Sequence, residues 1–457
     1  MLRSLYIMLI YVMFLSFGAA APFVLSLGYV WVDTFEPQAV ASIILSSIPV
    51  SLIMGVAALG SYAIFDNRKG RVCFISILLL IFAVWVTITT SFLAEVPGAA
   101  WYKWNFAFKT LCFAAFLPFV FRSRVHIEAF LLIYVFSMAV HFMPVGVKTL
   151  VSGGGYGREL GITSGNSLLA EGSTLSTVAL MLVPIMLHLR VYGRLIPRML
   201  ATRIGYYGLA TLAIAAAVGT YERTALVGMG VGGAGLWLKS KRKVLFGIVG
   251  AAAVLVTVNN ASTAWSNRIS TVQDYDTESS ALGRILVWRW TMGYVSQHPL
   301  GGGFDVYRID TVEFPNKTGT GAPLVVHGKA FHSVYFEVLG EQGFPGLAIF
   351  LTLIGTTFYQ LFMVARRTRR RADLAWANDL AKTLQISFAI LLSCGAAIGI
   401  AFQPMIYSVI AISACLHMHV KRVDEEAARE RAPSYPPLDF DIAADALVLA
   451  PLSSSEF

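Results

Sequence analysis

The sequence has too little charge to cover a water-facing surface. Asp, Glu, Lys and Arg make up 13% of its 457 residues, where soluble domains carry about a quarter. Long polar stretches are almost absent, and 56% of the chain is hydrophobic, gathered in continuous runs of about 20 residues. That excludes a soluble globular domain. It also excludes a β-barrel, whose strands would be short and alternating. Cysteine is scarce too: Cys73, Cys112, Cys394 and Cys415 each lie within an apolar run. They offer neither a disulfide framework nor the spacing of a metal site. No long-period repeat is present, and no metal or cofactor is expected.

The runs predict an all-α integral membrane protein with about 12 transmembrane helices, at about 5–27, 42–65, 73–94, 105–121, 127–145, 172–189, 205–219, 223–238, 244–258, 346–365, 383–400 and 403–420. The first run is too long for a cleaved signal and reads as a retained span. The net charge of +9 could suggest nucleic acid. Its distribution argues otherwise, because most Lys and Arg fall in alternate loops, as the positive-inside rule requires. Among them are Arg68, Lys69 and Arg71, then Arg190, Arg194, Arg198 and Arg203, then Arg366 to Arg371. With the N-terminus inside, both termini are expected in the cytoplasm of a bacterial inner-membrane protein. The organisation expected is a membrane bundle over 1–258, a periplasmic loop over 259–345, three further spans over 346–420 and a disordered tail over 421–457.

The loop from Asn259 to Pro345 is the one long polar segment between spans. It mixes Arg268, Arg284, Arg289, Arg308, Lys317 and Lys329 with eight acids, so it is no general anion trap. Leu282–Gln297 has helical spacing, with Ile285, Trp288, Met292 and Val295 on one apolar face. Arg284 in its first turn gains nothing from the helix dipole and needs an anion, either Asp276 or Glu278 or a ligand. A second helix is expected from near His332 to Glu341, broken by Gly343-Phe344-Pro345-Gly346. His332 at its start could act as a neutral base or be structural. His327 has weaker context. Arg223 interrupts an apolar hairpin beside Glu222; it either pairs with Glu222 or is held at lipid-phosphate depth, where a guanidinium binds phosphate bidentately. The glycine run Ser152 to Gly157 reads as a connector or a phosphate cradle.

Taken in order, Arg223-Thr-Ala-Leu, Gly283-Arg284-Ile-Leu-Val-Trp288, Pro299-Leu-Gly-Gly-Gly-Phe304 and His332-Ser-Val-Tyr335-Phe-Glu337-Val-Leu-Gly-Glu341-Gln-Gly343 resemble the O-antigen ligase and Wzy-type polymerase superfamily. Trp101-Tyr-Lys-Trp-Asn105 and Thr271-Val-Gln-Asp-Tyr275 resemble the ligases associated with exosortase A systems. The resemblance implies a GT-C-like enzyme that moves a glycan from undecaprenyl pyrophosphate to an acceptor hydroxyl on the periplasmic face. The acceptor would be a glycan, a lipid or a protein. It implies His332 as catalytic residue and Arg223 and Arg284 as pyrophosphate ligands, with Arg289, Tyr335, Glu337 and His327 as supporting residues. It also implies metal-independent transfer, and attack opposite the leaving group predicts inversion at the anomeric carbon. Ser333 and Glu222 depart from the residues usual in the family. A repeat-unit polymerase is the alternative within the family. A transporter or flippase is the alternative outside it, although the spans carry few of the ionisable residues that coupled transport uses.

Overall fold

The computed structural model describes residues 2–41, 45, 47–66, 70–152, 169–240, 242–243, 279–314 and 324–431. Two compact units divide the chain, Met1–His419 and Val420–Phe457. Helices dominate, as the apolar runs demand: with no water in hydrocarbon to satisfy a peptide group, each segment must bond its own backbone. In chain order they are α1 (Leu2–Gly18), α2 (Pro22–Phe35), α3 (Pro37–Val40), α4 (Val50–Phe65), α5 (Phe74–Phe92), α6 (Pro97–Val120), α7 (Arg124–Ser152), α8 (Gly172–Tyr192), α9 (Leu200–Gly219) and α10 (Arg223–Lys239). The remainder are α11 (Ser279–Gln297), α12 (Val334–Thr368), α13 (Ala375–Gly395) and α14 (Pro404–Arg431). Five described helices (α5, α7, α8, α9 and α12) are long and apolar enough to cross a membrane, and α1 and α4 are shorter apolar helices. The protein is an all-α integral membrane protein. In α5 the buried face carries Leu78, Leu79, Phe82 and Val86, and the opposite face exposes Ile77, Leu80, Ile81, Val84 and Ile88. A helix apolar on both faces suits a lipid surround. All four cysteines are free.

The chain departs from the expected spans at its start. The run expected as one span, 5–27, is an antiparallel hairpin that turns between Gly18 and Pro22. A Cβ on Gly18 would press on Leu25 and one on Gly28 on Phe14. The rings of Phe14 and Trp31 lie 5.6 Å apart, and Arg3 donates to the Val40 carbonyl at 2.6 Å. The partners are spaced symmetrically about the turn, as two antiparallel helices require. Proline causes the turn: it fixes its own φ, disfavours helix in the residue before it and starts α2 at N1. α2 then runs antiparallel to α6, with Phe23 on Phe121 and Tyr29 on Phe113. Arg3 therefore lies at the end of the bundle where α6 begins, not at the end where it finishes. The reading that set Arg3 on the opposite face is corrected by this geometry.

Elsewhere, the span expected at 42–65 is helical among the described residues only over α4, Val50–Phe65; the other described spans overlap observed helices closely, with α13 shifted toward the N-terminus of 383–400. The span expected at 244–258 lies outside the described residues. α14 continues through Glu425, Glu426, Ala427 and Ala428 to Arg431, all strong helix formers, so the expected tail is helical over its first residues; 432–457 lie outside those described. The break expected at Gly343 is present: its φ of 66° and ψ of −169° interrupt α12.

Candidate functional site

The site is assembled around α11. Its buried stripe is Val287, Thr291 and Val295. Met292, expected on the apolar face, is 50% exposed. Val287 joins Val306, Val312 and Phe331 in a small core flanked by Trp288, Tyr307, Phe314 and Phe336. A short antiparallel hairpin closes this core, β1 (Thr311–Phe314) against β2 (Leu324–His327). Four-residue strands are too short for a periodicity reading to separate from loop.

Trp288 joins the two informative motifs. Its indole stacks on Phe336, 4.9 Å between centroids and 2° from parallel. Its Nε1 donates to the Phe331 carbonyl at 2.8 Å. The next residue, His332, takes a left-handed backbone conformation, φ 47°, which non-glycine residues adopt only when surroundings enforce it. Ser333 returns to extended geometry and α12 begins. The left-handed step turns the imidazole away from the line of α12 while its neighbours Phe331 and Ser333 stay buried.

Two cations act on that imidazole. Burial, then Arg284, then Lys329 hold the His332 pKa below the usual histidine value, and Glu337 opposes them. The ring is therefore neutral at pH 7, the state a proton acceptor needs. The Arg284 Nε is buried without a hydrogen-bond partner among the described residues; Asp276 and Glu278 lie outside them. Lys329 lies across Gly283, its Nζ 3.0 Å from where a Cβ would stand. A side chain at 283 would displace it, which explains the glycine before Arg284. Asp310 fixes the approach: Gly328, φ 67°, turns the chain, and the Lys329 N–H donates to Asp310 Oδ1 at 2.9 Å.

Beneath His332 lies a charge cluster that motif reading did not find. Lys103 of α6 is 2.7 Å from both Glu337 Oε1 and Glu341 Oε1, and 3.7 Å from Asp305. Burial acts to neutralise the ammonium, but the three carboxylates outweigh it and hold its pKa well above the usual lysine value. Glu337 Oε2 accepts the Ala401 N–H at 2.9 Å, and Glu341 Oε1 accepts the Asp305 N–H at 3.0 Å. Glu337 is thus tied to α6 and to the segment before α14 while it faces His332. The only trace of Lys103 in the sequence was a cation inside an aromatic run.

The glycine motif 301–303 serves backbone crossing. The Gly302 and Gly303 N–H groups donate to the carbonyls of Gly340 and Glu341 at 3.1 and 2.9 Å, Phe344 N–H to Pro299 at 2.9 Å, and Glu95 N–H to Gly302 at 3.0 Å. Gly301, Gly303 and Gly343 all have positive φ, and a Cβ on any of them would strike neighbouring backbone.

Arg223 opens α10 after Glu222, whose Oε2 accepts a hydrogen bond from Ser173 at 3.1 Å. The carbonyl of Thr224 accepts the Cys394 thiol at 3.4 Å, and a Cβ on Gly395 would sit 3.1 Å from Val334. The first turns of α10 and α12 therefore flank the same end of α13. Tyr335 adds a third tie there, its hydroxyl donating to Leu392 at 3.3 Å. Arg289 is exposed on α11, about 140° around the helix from Arg284 at 100° per residue. His327 is exposed on β2, with Nδ1 3.1 Å from the Thr311 hydroxyl. Gly153 to Gly157 lie outside the described residues.

The fold and the site thus define a helical membrane protein in which a half-buried histidine stands near an arginine and a lysine. Residues 208–351 match the family described as O-Antigen ligase, and this match supports a function of the ligase or polymerase type in glycan assembly. Residues 2–194 match a family of unknown function. No curated protein matches the chain.

Proposed function

We propose that the protein transfers a glycan from undecaprenyl pyrophosphate to an acceptor hydroxyl on the periplasmic face of the inner membrane, as a ligase. The observation that carries this is His332, held in a left-handed step, close enough to Arg284 and Lys329 for both to lower its pKa, with the Arg284 Nε buried and unpartnered among the described residues. The acceptor O–H gives its proton to the imidazole, and the acceptor oxygen forms a bond to the anomeric carbon. The bond from that carbon to the pyrophosphate oxygen breaks, and the leaving oxygen keeps the electron pair. Charge develops on the pyrophosphate, where Arg284 and Arg223 stabilise it; fixed charges act strongly where water is scarce. Attack opposite the leaving group inverts the anomeric centre without a metal ion. Glu337 faces His332 and favours the imidazolium that forms when the proton arrives.

The likeness to exosortase-associated ligases favours a ligase over a repeat-unit polymerase. Deleting the gene and sizing the glycan left on undecaprenyl pyrophosphate separates the two. Long unattached chains are expected for a ligase; single repeat units would mean a polymerase. Complementation with His332→Ala should fail, and full restoration would sink the assignment. Transport is disfavoured because the half-buried cations converge on the histidine at one face. Activity in detergent, where no gradient exists, is the expected result for an enzyme.

A further inference from the structure

We infer that Lys329 is a further ligand for the donor's diphosphate, completing with Arg284 a two-cation seat next to His332. This rests on reading the site as a glycan transferase. Three observations converge. The Lys329 ammonium is half-buried, and its ring contact is Phe314, 5.8 Å to the centroid. Among the described residues it has no ion pair. Asp310 accepts the Lys329 backbone N–H through Oδ1 and attracts the ammonium only through space, without an ion-pair contact. Arg284, one residue from the glycine that Lys329 covers, has a buried Nε without a partner. Glu337, the carboxylate facing His332, already binds Lys103 at 2.7 Å.

Two cations near one imidazole and away from full solvation repel each other and stay in place at a cost. An anion of charge two or more removes that cost. A diphosphate suits the pair better than a monophosphate or a carboxylate, since it offers separate oxygens to a fork-shaped guanidinium and a compact ammonium. Lys329 also differs in role from the arginine. It sits on the flat face of Gly283, in a turn set by Gly328 and Asp310, so a nucleus of backbone contacts fixes where its charge stands. Lys329 acts on the His332 imidazole together with Arg284, so a diphosphate bound by both lies beside that histidine.

The test uses the full-length protein in detergent. The probes are inorganic pyrophosphate, a polyprenyl diphosphate and the matching polyprenyl monophosphate, each as competitor of glycan transfer. Wild type should be inhibited more strongly by the diphosphate lipid than by the monophosphate lipid. Lys329→Gln should erase most of that preference and lower kcat by about 10²-fold, the loss typical of removing one preorganised charge donor. It should also raise the acidic limb of the kcat/KM profile, since a cation beside His332 is gone. Inhibition by inorganic pyrophosphate that falls in parallel would assign recognition to the phosphates themselves; loss confined to the lipid diphosphate would assign it to the lipid-linked form. Either supports the inference. Unchanged preference and unchanged pH limb in Lys329→Gln, with His332→Ala and Arg284→Gln inactive, would overturn it and leave the proposed function standing. Active His332→Ala and Arg284→Gln would remove the proposed function itself. Should Lys329→Gln lower the melting temperature, Lys329→Arg decides: retained diphosphate preference supports the inference and its loss overturns it.

Discussion

At the scale of single residues, the site depends on what holds His332 rather than on His332 alone. The Trp288 indole fixes the Phe331 carbonyl through one hydrogen bond and stacks on Phe336. Trp288→Phe keeps the stacking and loses the bond, which is expected to cost about 0.5–1.5 kcal/mol. Transfer should fall more than stability does, because the left-handed step at His332 relaxes; equal loss of both, by calorimetry and by rate, would deny it a positioning role. The pH profile follows from the charges. His332 has a depressed pKa, so its neutral, active form persists as pH falls through the usual histidine range and is lost only below it. Lys103→Met leaves Glu337 and Glu341 buried without their cation. Breaking a buried pair from one side costs about 3–5 kcal/mol, and a large drop in melting temperature is expected in detergent. Arg289→Gln, on the exposed side of α11, should leave transfer near the wild-type rate.

At the scale of elements, the backbone crossing of 299–303 with 340–344 is the least tolerant place in the fold. Gly343→Ala places a Cβ against the Pro299 carbonyl and the Leu300 backbone, in a conformation that already costs an L-residue about 1–2 kcal/mol. Far lower yield of folded protein is expected, read by size exclusion in detergent. The same scale explains what the sequence made legible. Helix positions follow from apolar runs because a membrane forces every such run to bond internally. The α12 break was visible because Gly and Pro stand together. The α1–α2 turn was not, since Gly18-Ala-Ala-Ala-Pro22 is as apolar as the helices around it and a hydropathy window passes over it. The His332 and Arg284 motifs were visible as local patterns. Lys103 stood in the quoted Trp101–Asn105 run, but its pairing was not legible, because its partners lie 234 and 238 residues away and no local pattern can announce a contact at that separation.

For the whole molecule, the hairpin at the start changes the expected topology. Arg3 lies with Val40 and with the beginning of α6, the end that carries Lys103 and therefore the site. A cysteine placed at Leu2 should be labelled by an impermeant reagent from the same side as one placed at Glu95. One placed at Ser123, at the opposite end of α6, should be labelled only after the membrane is opened. Labelling of positions 2 and 123 from a common side would reject the hairpin in the membrane.

The Glu95–Gly302 and Lys103–Glu337 contacts join parts of the chain that leave the ribosome far apart in time. Early helices can insert and pack while α11 and α12 are still unmade, but the three carboxylates that surround Lys103 arrive only with the last third of the sequence. Until then Lys103 lacks those three carboxylates, and His332 is not yet made. The cluster around His332 is thus among the last parts of the molecule to form. A nascent or truncated chain could occupy the membrane with that cluster still unbuilt.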